Sequence, residues 1–413
     1  MDVLVARQPI FDRQRKLYGY ELLFRSDAAS NAFDGTEAAA ATMQVLSNTV
    51  MSVGVEKLLG GKKAFVNFDH RLLLEDMHLT LPRESIVIEL LETVVPTEDL
   101  LGLCQIIQQQ GYSLALDDFT DKPEFAPLAR MANVIKVDMR LSSREEQDRL
   151  LRTYKPRGVL MLAEKVESYA EFEWAESAGY DLFQGYFFAR PETVRSRQIP
   201  ASVTTCLQLL REVQKTDLDF EQMGALIGRD VSLTYTLLRY ANSAMHQRRA
   251  EVRSIGRALA VMGEQNIRRW VVLATLPMLA TNKPSELVKL SLVRARFCER
   301  LAELAQMKRT NEAFLMGMFS LLDALIDQPL DEALRSVGLG RGIIEALLGT
   351  APDEDLLTRL YQLTLGYESG DWDEVEGLSH SCGIPPAAIA ETYIDATVWA
   401  GQAGQPDGTS GTT

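Results

Sequence analysis

Cysteine is scarce in this chain. Four cysteines, at 104, 206, 298 and 382, are spread over 413 residues. No two stand at metal-ligand spacing, so a thiolate zinc site and a disulfide framework are both excluded; all four read as buried thiols in a reducing compartment. Histidine is equally rare, at four, and no His-Asp dipeptide occurs. The two in the second half, His246 and His380, are far apart and read as surface or internally satisfied side chains, not ligands. Positive charge is in deficit: 43 Lys and Arg stand against 57 Asp and Glu, for a net charge of −14. That argues against bulk binding to nucleic acid or to an anionic membrane. The arginine pairs at 248–249 and 268–269 are candidates for a local basic face, with solvated helix surface as the plainer reading. No apolar run approaches the length of a membrane span. The start, MDVLVARQPIF, lacks the charged and then apolar segments of a signal peptide. A cytoplasmic location is therefore expected. Residues 401–413, rich in Gly, Ser, Thr and Pro, are expected to be a disordered tail.

What is present is a globular composition, 46% hydrophobic and 24% charged, long enough for two or three domains. The first half alternates short strand-like runs with helical ones. AFVNF, SIVIEL, YSLALDDF, NVIKVD, GVLMLAEKV and DLFQGYFF are β-branched or aromatic and bounded by turn residues. The helical stretch EDLLGLCQIIQQQG closes on Gly111, as a helix C-terminus should. Such alternation predicts parallel strands joined by crossover helices, and the number of strands suits a barrel better than an open sheet. A polar, proline-containing stretch, ARPETVRSRQIP, places a boundary near residue 198. Beyond it apolar residues recur at three and four, and strand signals almost vanish, which predicts a helical bundle.

The strand-like runs share one feature. Each ends in a carboxylate, an amide or a lysine: Glu21 in YELLFR, Asn67 in AFVNF, Glu89 in IVIELLE, Asp117-Asp118 in LALDDF, Lys136 in VIKVD, Glu164 and Glu167 in LMLAEKVE, Gln184 in LFQGYFF. In a β/α barrel such residues gather at the C-terminal mouth. Carboxylates gathered there repel one another and call for cations. The pattern points to a hard divalent metal, as a pair of ions, and to phosphate-ester chemistry.

The blocks QPIF, ELLFR, VNF, IELLE, LDDF, IKVD, AEKVE and QGYFF, in this order and spacing, resemble the EAL domain of cyclic-di-GMP phosphodiesterases. The blocks IPASVTTCLQLL, IGRDVSLTYTLLRYANSA and SIGRALAVMGEQNIRRW resemble the HDOD domain, a relative of HD phosphohydrolases that lacks their His-Asp pair. The resemblance implies an EAL barrel over 1–197 and a helical HDOD domain over 198–400. It implies Mg²⁺ or Mn²⁺ held by Glu21, Asn67, Glu89, Asp117, Asp118 and Glu164. It assigns Lys136, Glu164 and Gln184 to the attacking water and phosphate, Gln8 and Arg25 to the substrate, and Glu92 and Glu167 to bracing of neighbouring loops. Cyclic di-GMP is the implied ligand, a signalling protein the implied partner of the HDOD half, and homodimerisation a family property.

Two departures bear on activity. The glycine-rich run that usually follows DDF is replaced by Thr120-Asp121-Lys122-Pro123-Glu124-Phe125, which cannot follow a backbone that needs positive φ. The usual glycine after Glu164 is replaced by Lys165. The expected function is therefore binding of cyclic di-GMP, with weak hydrolysis to pGpG and a relay through the HDOD half. Efficient hydrolysis and a scaffold that binds no nucleotide are the alternatives. In the second half, Leu322 stands before Asp323 where a ligand pair would be needed, so no independent metal chemistry is expected there. Asp230 is expected to cap a helix, with Ser232 as a second candidate, and Asn242-Ser243 to end it and bond the next loop. A small-ligand or partner pocket around these residues is the functional alternative.

Overall fold

The computed structural model describes residues 3–26, 59–68, 70–74, 76–91, 94–190, 201–243, 252–280 and 283–403. The expected boundary near 198, Glu92, His246, the arginine pair at 248–249 and residues 404–413 of the tail lie outside them, whereas residues 401–403, expected to belong to the tail, are the end of the last helix. Eight strands close into a barrel in sequence order. They are β1 (Val3–Asp12), β2 (Leu17–Ser26), β3 (Lys63–Phe68), β4 (Ile86–Leu90), β5 (Ser113–Leu116), β6 (Val134–Asp138), β7 (Leu160–Glu164) and β8 (Leu182–Gln184). From β3 to β8 each parallel step is bridged by a helix: α1 (His70–Leu74), α2 (Glu98–Gln109), α3 (Ala126–Met131), α4 (Arg144–Tyr154) and α5 (Tyr169–Ala178). Helix α2 begins on the Thr97 side chain and is followed by Gly111 at φ 94°, the left-handed turn expected of it.

One strand departs from the expected all-parallel order. β1 runs antiparallel to both β2 and β8. The reason is the tight turn after Asp12, whose side chain accepts from the amides of Gln14 and Lys16, both at 2.9 Å. A turn that short can only make a hairpin.

The barrel interior follows from the two-residue period of a strand. Ile10, Phe65, Val87, Ala115, Val134, Leu162 and Leu182 form a closed apolar plug. Two residues further along each parallel strand stand Asn67, Glu89, Asp117, Lys136, Glu164 and Gln184, which face the same way. Gln8 precedes Ile10 by two because β1 runs backwards, and it lies opposite Glu21. The plug thus supports a single polar layer at the C-terminal mouth.

The second half is helical throughout its described residues: α6 (Ala201–Glu212), α7 (Phe220–Ile227), α8 (Val231–Ser243), α9 (Ile255–Leu279), α10 (Ser285–Leu304), α11 (Thr310–Phe319), α12 (Leu322–Ile326), α13 (Leu330–Val337), α14 (Arg341–Leu347), α15 (Leu356–Ser369), α16 (Trp372–Cys382) and α17 (Pro386–Ala403). Asp230 accepts from the Leu233 amide at 3.0 Å at the start of α8, and Asn242 exchanges hydrogen bonds with the backbone of Val252. Leu322 is fully buried in the core. All four cysteines are free and buried. Arg268 bonds the carbonyls of Val213 and Thr216, and Arg269 pairs with Glu299 at 3.2 Å, so this arginine pair is engaged within the helices. Among the described residues no helix is long and apolar enough to cross a membrane.

The tight turn that joins β1 to β2 holds no crossover helix, and among the described residues none that directly follows β2 covers the hairpin. Helices α15 and α17 pack on β1 in its place. Tyr20, 1% exposed, points outward from β2 and donates to Glu286 on α10 at 2.9 Å. Lys289 donates to the same hydroxyl at 2.8 Å, and the Arg7 guanidinium lies 4.5 Å over the Tyr20 ring. Within the helices, Arg294 on α10 makes a buried fork to Glu368 on α15, with contacts of 3.0, 3.0 and 2.7 Å, and also bonds Ser320. The two halves thereby share one continuous core.

Candidate active site at the barrel mouth

Lys136 is the centre of the polar layer. Its ammonium reaches Glu21 at 3.2 Å, Asp117 at 2.9 Å and Glu164 at 2.8 Å, and is in close contact with Glu89. The lysine side chain is 1% exposed, and Glu89 is wholly buried. Burial by itself would lower the lysine, yet Glu164, Glu21, Glu89 and Asp117 together hold it well above the usual range. Burial pushes Glu89 well up, and the neighbouring carboxylates add to that against the pull of Lys136. Glu164 is pushed up to about 8, first by burial and then by Asp117 and Glu21. Burial opposes ionisation of Asp117, but Lys136 together with hydrogen bonds from Glu89 and the Asp118 amide brings it below the ordinary range.

Gln184 closes the ring. Its amide donates to Glu21 at 2.6 Å and to Gln8 at 3.0 Å. The next residue, Gly185, is at φ 141°, and a Cβ there would lie 2.1 Å from the carbonyl oxygen of Val166. Only glycine lets the chain turn so close to the loop that carries Glu164.

Five buried oxygens facing this layer have no hydrogen-bond partner: Asn67 Oδ1, Glu89 Oε2, Asp118 Oδ1, Glu164 Oε2 and Gln184 Oε1. Orphaned buried acceptors are costly, and so many together imply a bound group that satisfies them. Ligand oxygens of Asp117, Asp118 and Glu164 lie within 4.8 Å of one another, the one such cluster among the described residues. All these donors are oxygens, which suits a hard divalent cation.

Asp118 and Lys165 both have left-handed backbones, at φ 39° and 55°. The Lys165 ammonium closely contacts Asp138 and lies 3.9 Å from Asp118. Asp138 is the site residue that sequence reasoning missed. It is 4% exposed and accepts from the amides of Arg140 and Leu141. Its signal was its place two residues after Lys136 on one strand, hence on one face. Burial opposes ionisation of Asp138, but Lys165 and the two amides hold its carboxyl below the ordinary range.

The replaced loop after Phe119 is fastened to α4. Pro123–Phe125 form a turn of 3₁₀ helix. Asp121 accepts from the Tyr154 hydroxyl at 2.8 Å and faces Arg149 at 3.4 Å, both on α4. Glu167 lies outside the ring. It joins Arg140 and Arg190, and so ties together the segments that follow β6, β7 and β8. The Arg25 backbone is in β2 opposite Leu4; its side chain, like Glu92, lies outside the described residues.

Comparison with known proteins gives a consistent answer. The EAL domain family matches residues 2–191 and the HDOD domain family residues 199–326. The Cyclic di-GMP phosphodiesterase CdgJ of Vibrio cholerae serotype O1 is 36% identical over 399 residues, covering 96% of this chain and 91% of that protein. The Uncharacterized protein YuxH of Bacillus subtilis is 33% identical, covering 97% and 98%. Among solved structures, the manganese and cyclic-di-GMP complex of Klebsiella pneumoniae BlrP1 aligns at 24% identity over 46% of this chain and 55% of that chain, with a TM-score of 0.39. With a closed eight-stranded barrel, a helical second half and full-length relatives, the chain belongs to the family of two-domain EAL–HDOD proteins.

Proposed function

We propose that this protein binds cyclic di-GMP at the barrel mouth together with Mg²⁺ or Mn²⁺, hydrolyses it slowly to pGpG, and passes its occupancy to a protein partner through the helical half. The observation that carries the reading is the ring of Glu21, Asn67, Glu89, Asp117, Asp118 and Glu164, with its orphaned buried oxygens. The name of the Vibrio cholerae relative supports the choice of nucleotide.

Asp117, Asp118 and Glu164 would hold the cation, with Asn67 and Glu89 able to complete its shell. Such an ion neutralises phosphate charge and acidifies a bound water. The chain's own groups do the rest. Lys136, whose ammonium is engaged by Glu21, Glu89, Asp117 and Glu164, would turn to a phosphate oxygen once a cation takes over those carboxylates, and Gln184 and Gln8 line the adjoining edge. Glu164, whose Oε2 has no partner, would take the proton of an attacking water. Arg25 would meet the second phosphate. Water would add at phosphorus as the bond to the 3′ oxygen breaks, opening the ring to the linear dinucleotide. We tie slow turnover to the loop 120–125, which lacks the glycines usual in the family and is fastened to α4 through Asp121. Misplacement of about 1 Å costs a rate factor of about 100.

The test is incubation of the full chain with cyclic di-GMP and Mg²⁺ or Mn²⁺ over hours, with nucleotides separated and a Glu21→Ala control. Slow pGpG formation, or intact nucleotide co-eluting with the protein, and loss of either in the control, is expected. Turnover at rates typical of enzymes, about 10 s⁻¹, would favour the efficient phosphodiesterase. Absence of both binding and product would leave a scaffold and overturn the proposal.

A further inference from the structure

The mouth contains a second cation besides Lys136, and its placement is unusual. Lys165 directly follows Glu164 with φ at 55°, a region that side chains other than Gly, Asn and Asp avoid. Its ammonium is set between a carboxylate at the end of β6 and one just after β5, in close contact with Asp138 Oδ2 and 3.9 Å from Asp118 Oδ2. Asp138 is then saturated, because its other oxygen accepts from Arg140 N at 2.7 Å and Leu141 N at 3.1 Å.

Asp118 is left with its two oxygens in different situations. Oδ2 faces the ammonium, whereas Oδ1 is buried without a partner. A ligand oxygen of Asp118 also lies within 4.8 Å of those of Asp117 and Glu164. The wholly buried side of the cluster supplies a further independent signal, since Glu164 Oε2 and Glu89 Oε2 have no partner either. Asp118 would hold a divalent ion shared with Asp117 and Glu164 while its Oδ2 faces Lys165.

We propose that Lys165 is a resident cation that limits the mouth to one divalent ion. It occupies the Asp118–Asp138 side, where the two carboxylates would otherwise draw a second ion. This deepens the proposed function and rests on its metal-binding part. An ammonium can neutralise a phosphate oxygen, but it has no empty orbital with which to bind and acidify a water. Lys165 therefore preserves anion binding while removing part of the machinery of hydrolysis.

The test is Mn²⁺ binding to the metal-stripped full chain by equilibrium dialysis, with electron paramagnetic resonance of the bound ions and no nucleotide present. The native protein is expected to take up one ion per chain with the spectrum of an isolated Mn²⁺. Lys165→Gly, whose backbone is at ease at this φ, is expected to take up two, with the spectrum of a coupled pair. Lys165→Met, which keeps the bulk and removes the charge, is expected to bind a second ion more weakly than Lys165→Gly and more strongly than the native chain. Circular dichroism confirms that each variant is folded. Two ions in the native chain, or one in Lys165→Gly, would overturn the proposal. No bound ion in any form would overturn the metal-binding reading beneath it, so the two failures are told apart.

Discussion

Replacing Lys136 by Met tests the electrostatics of the mouth directly. Methionine approximates the length of the lysine stem but removes the charge that Glu21, Glu89, Asp117 and Glu164 share. With Lys136 1% exposed, solvent screens little of the loss. Breaking a buried ion pair by removing one partner typically costs about 3–5 kcal/mol. Protonation of Glu89 and Glu164 will recover part of it, so about 3 kcal/mol is expected near pH 8 and less at lower pH. At about 2–4 °C per kcal/mol for a domain of this size, the unfolding midpoint in EDTA should fall by about 10 °C. A divalent ion at a hundred times its dissociation constant adds back about 2.7 kcal/mol, and without the competing ammonium it should bind the variant at least as tightly as the native chain. Thermal unfolding followed by circular dichroism, with EDTA and with Mn²⁺, reads both effects. A loss below about 1 kcal/mol, or a variant midpoint that Mn²⁺ does not move, would refute the account of Lys136 as the counter-charge of a metal site.

Two further expectations follow from other groups. Glu164 is raised from an ordinary 4.5 to about 8, so the folded state holds a proton that the unfolded state has released. Its contribution to stability is complete below about 4.5 and is lost as pH rises through about 8. A metal must displace that proton, so affinity for Mn²⁺ should rise about tenfold per pH unit for each proton released up to that range and then level off. Calorimetry in buffers of different ionisation heat counts the protons, and an affinity independent of pH would refute the linkage. In the helical half, Glu368→Gln strands the buried Arg294 guanidinium and should cost about 3 kcal/mol or more, read by denaturant unfolding. Adding Arg294→Met should restore part of that loss, and a double variant no more stable than the single would show that the pair does not act as a unit.

Much of the site was legible in the sequence because its signal is local. An apolar residue followed two positions later by a carboxylate or amide marks one face of one strand, as in Phe65/Asn67, Val87/Glu89 and Leu162/Glu164. Gly111, Asp230 and Asn242 were readable as helix ends for the same reason: a cap acts within a few residues. Asp138 shares a strand face with Lys136, but its part in the site comes from Lys165, 27 positions away, which only the fold brings to it. The antiparallel direction of β1 was not legible at all. It depends on a tight turn at Asp12 closing a hairpin, and on β8 returning beside β1 across the whole barrel.

The sequence by itself determined an alternating β/α half, a helical half, and a set of oxygen-bearing residues that belong at one mouth. Periodicity, turn residues and composition are properties of neighbours along the chain, and they survive without a fold. Only the tertiary structure decided which of those residues meet. Lys136 and Glu21 are 115 positions apart and Gln184 and Glu21 163 apart, and their contact exists only once the barrel closes. Closure also sets Lys165 between Asp118 and Asp138, fastens the replaced loop to α4, and seats Tyr20 on Glu286. Charge interactions depend on distance and burial, not on order in the chain. That is why the set of residues that gathers at the mouth could be read from the sequence, while their counter-charges could not.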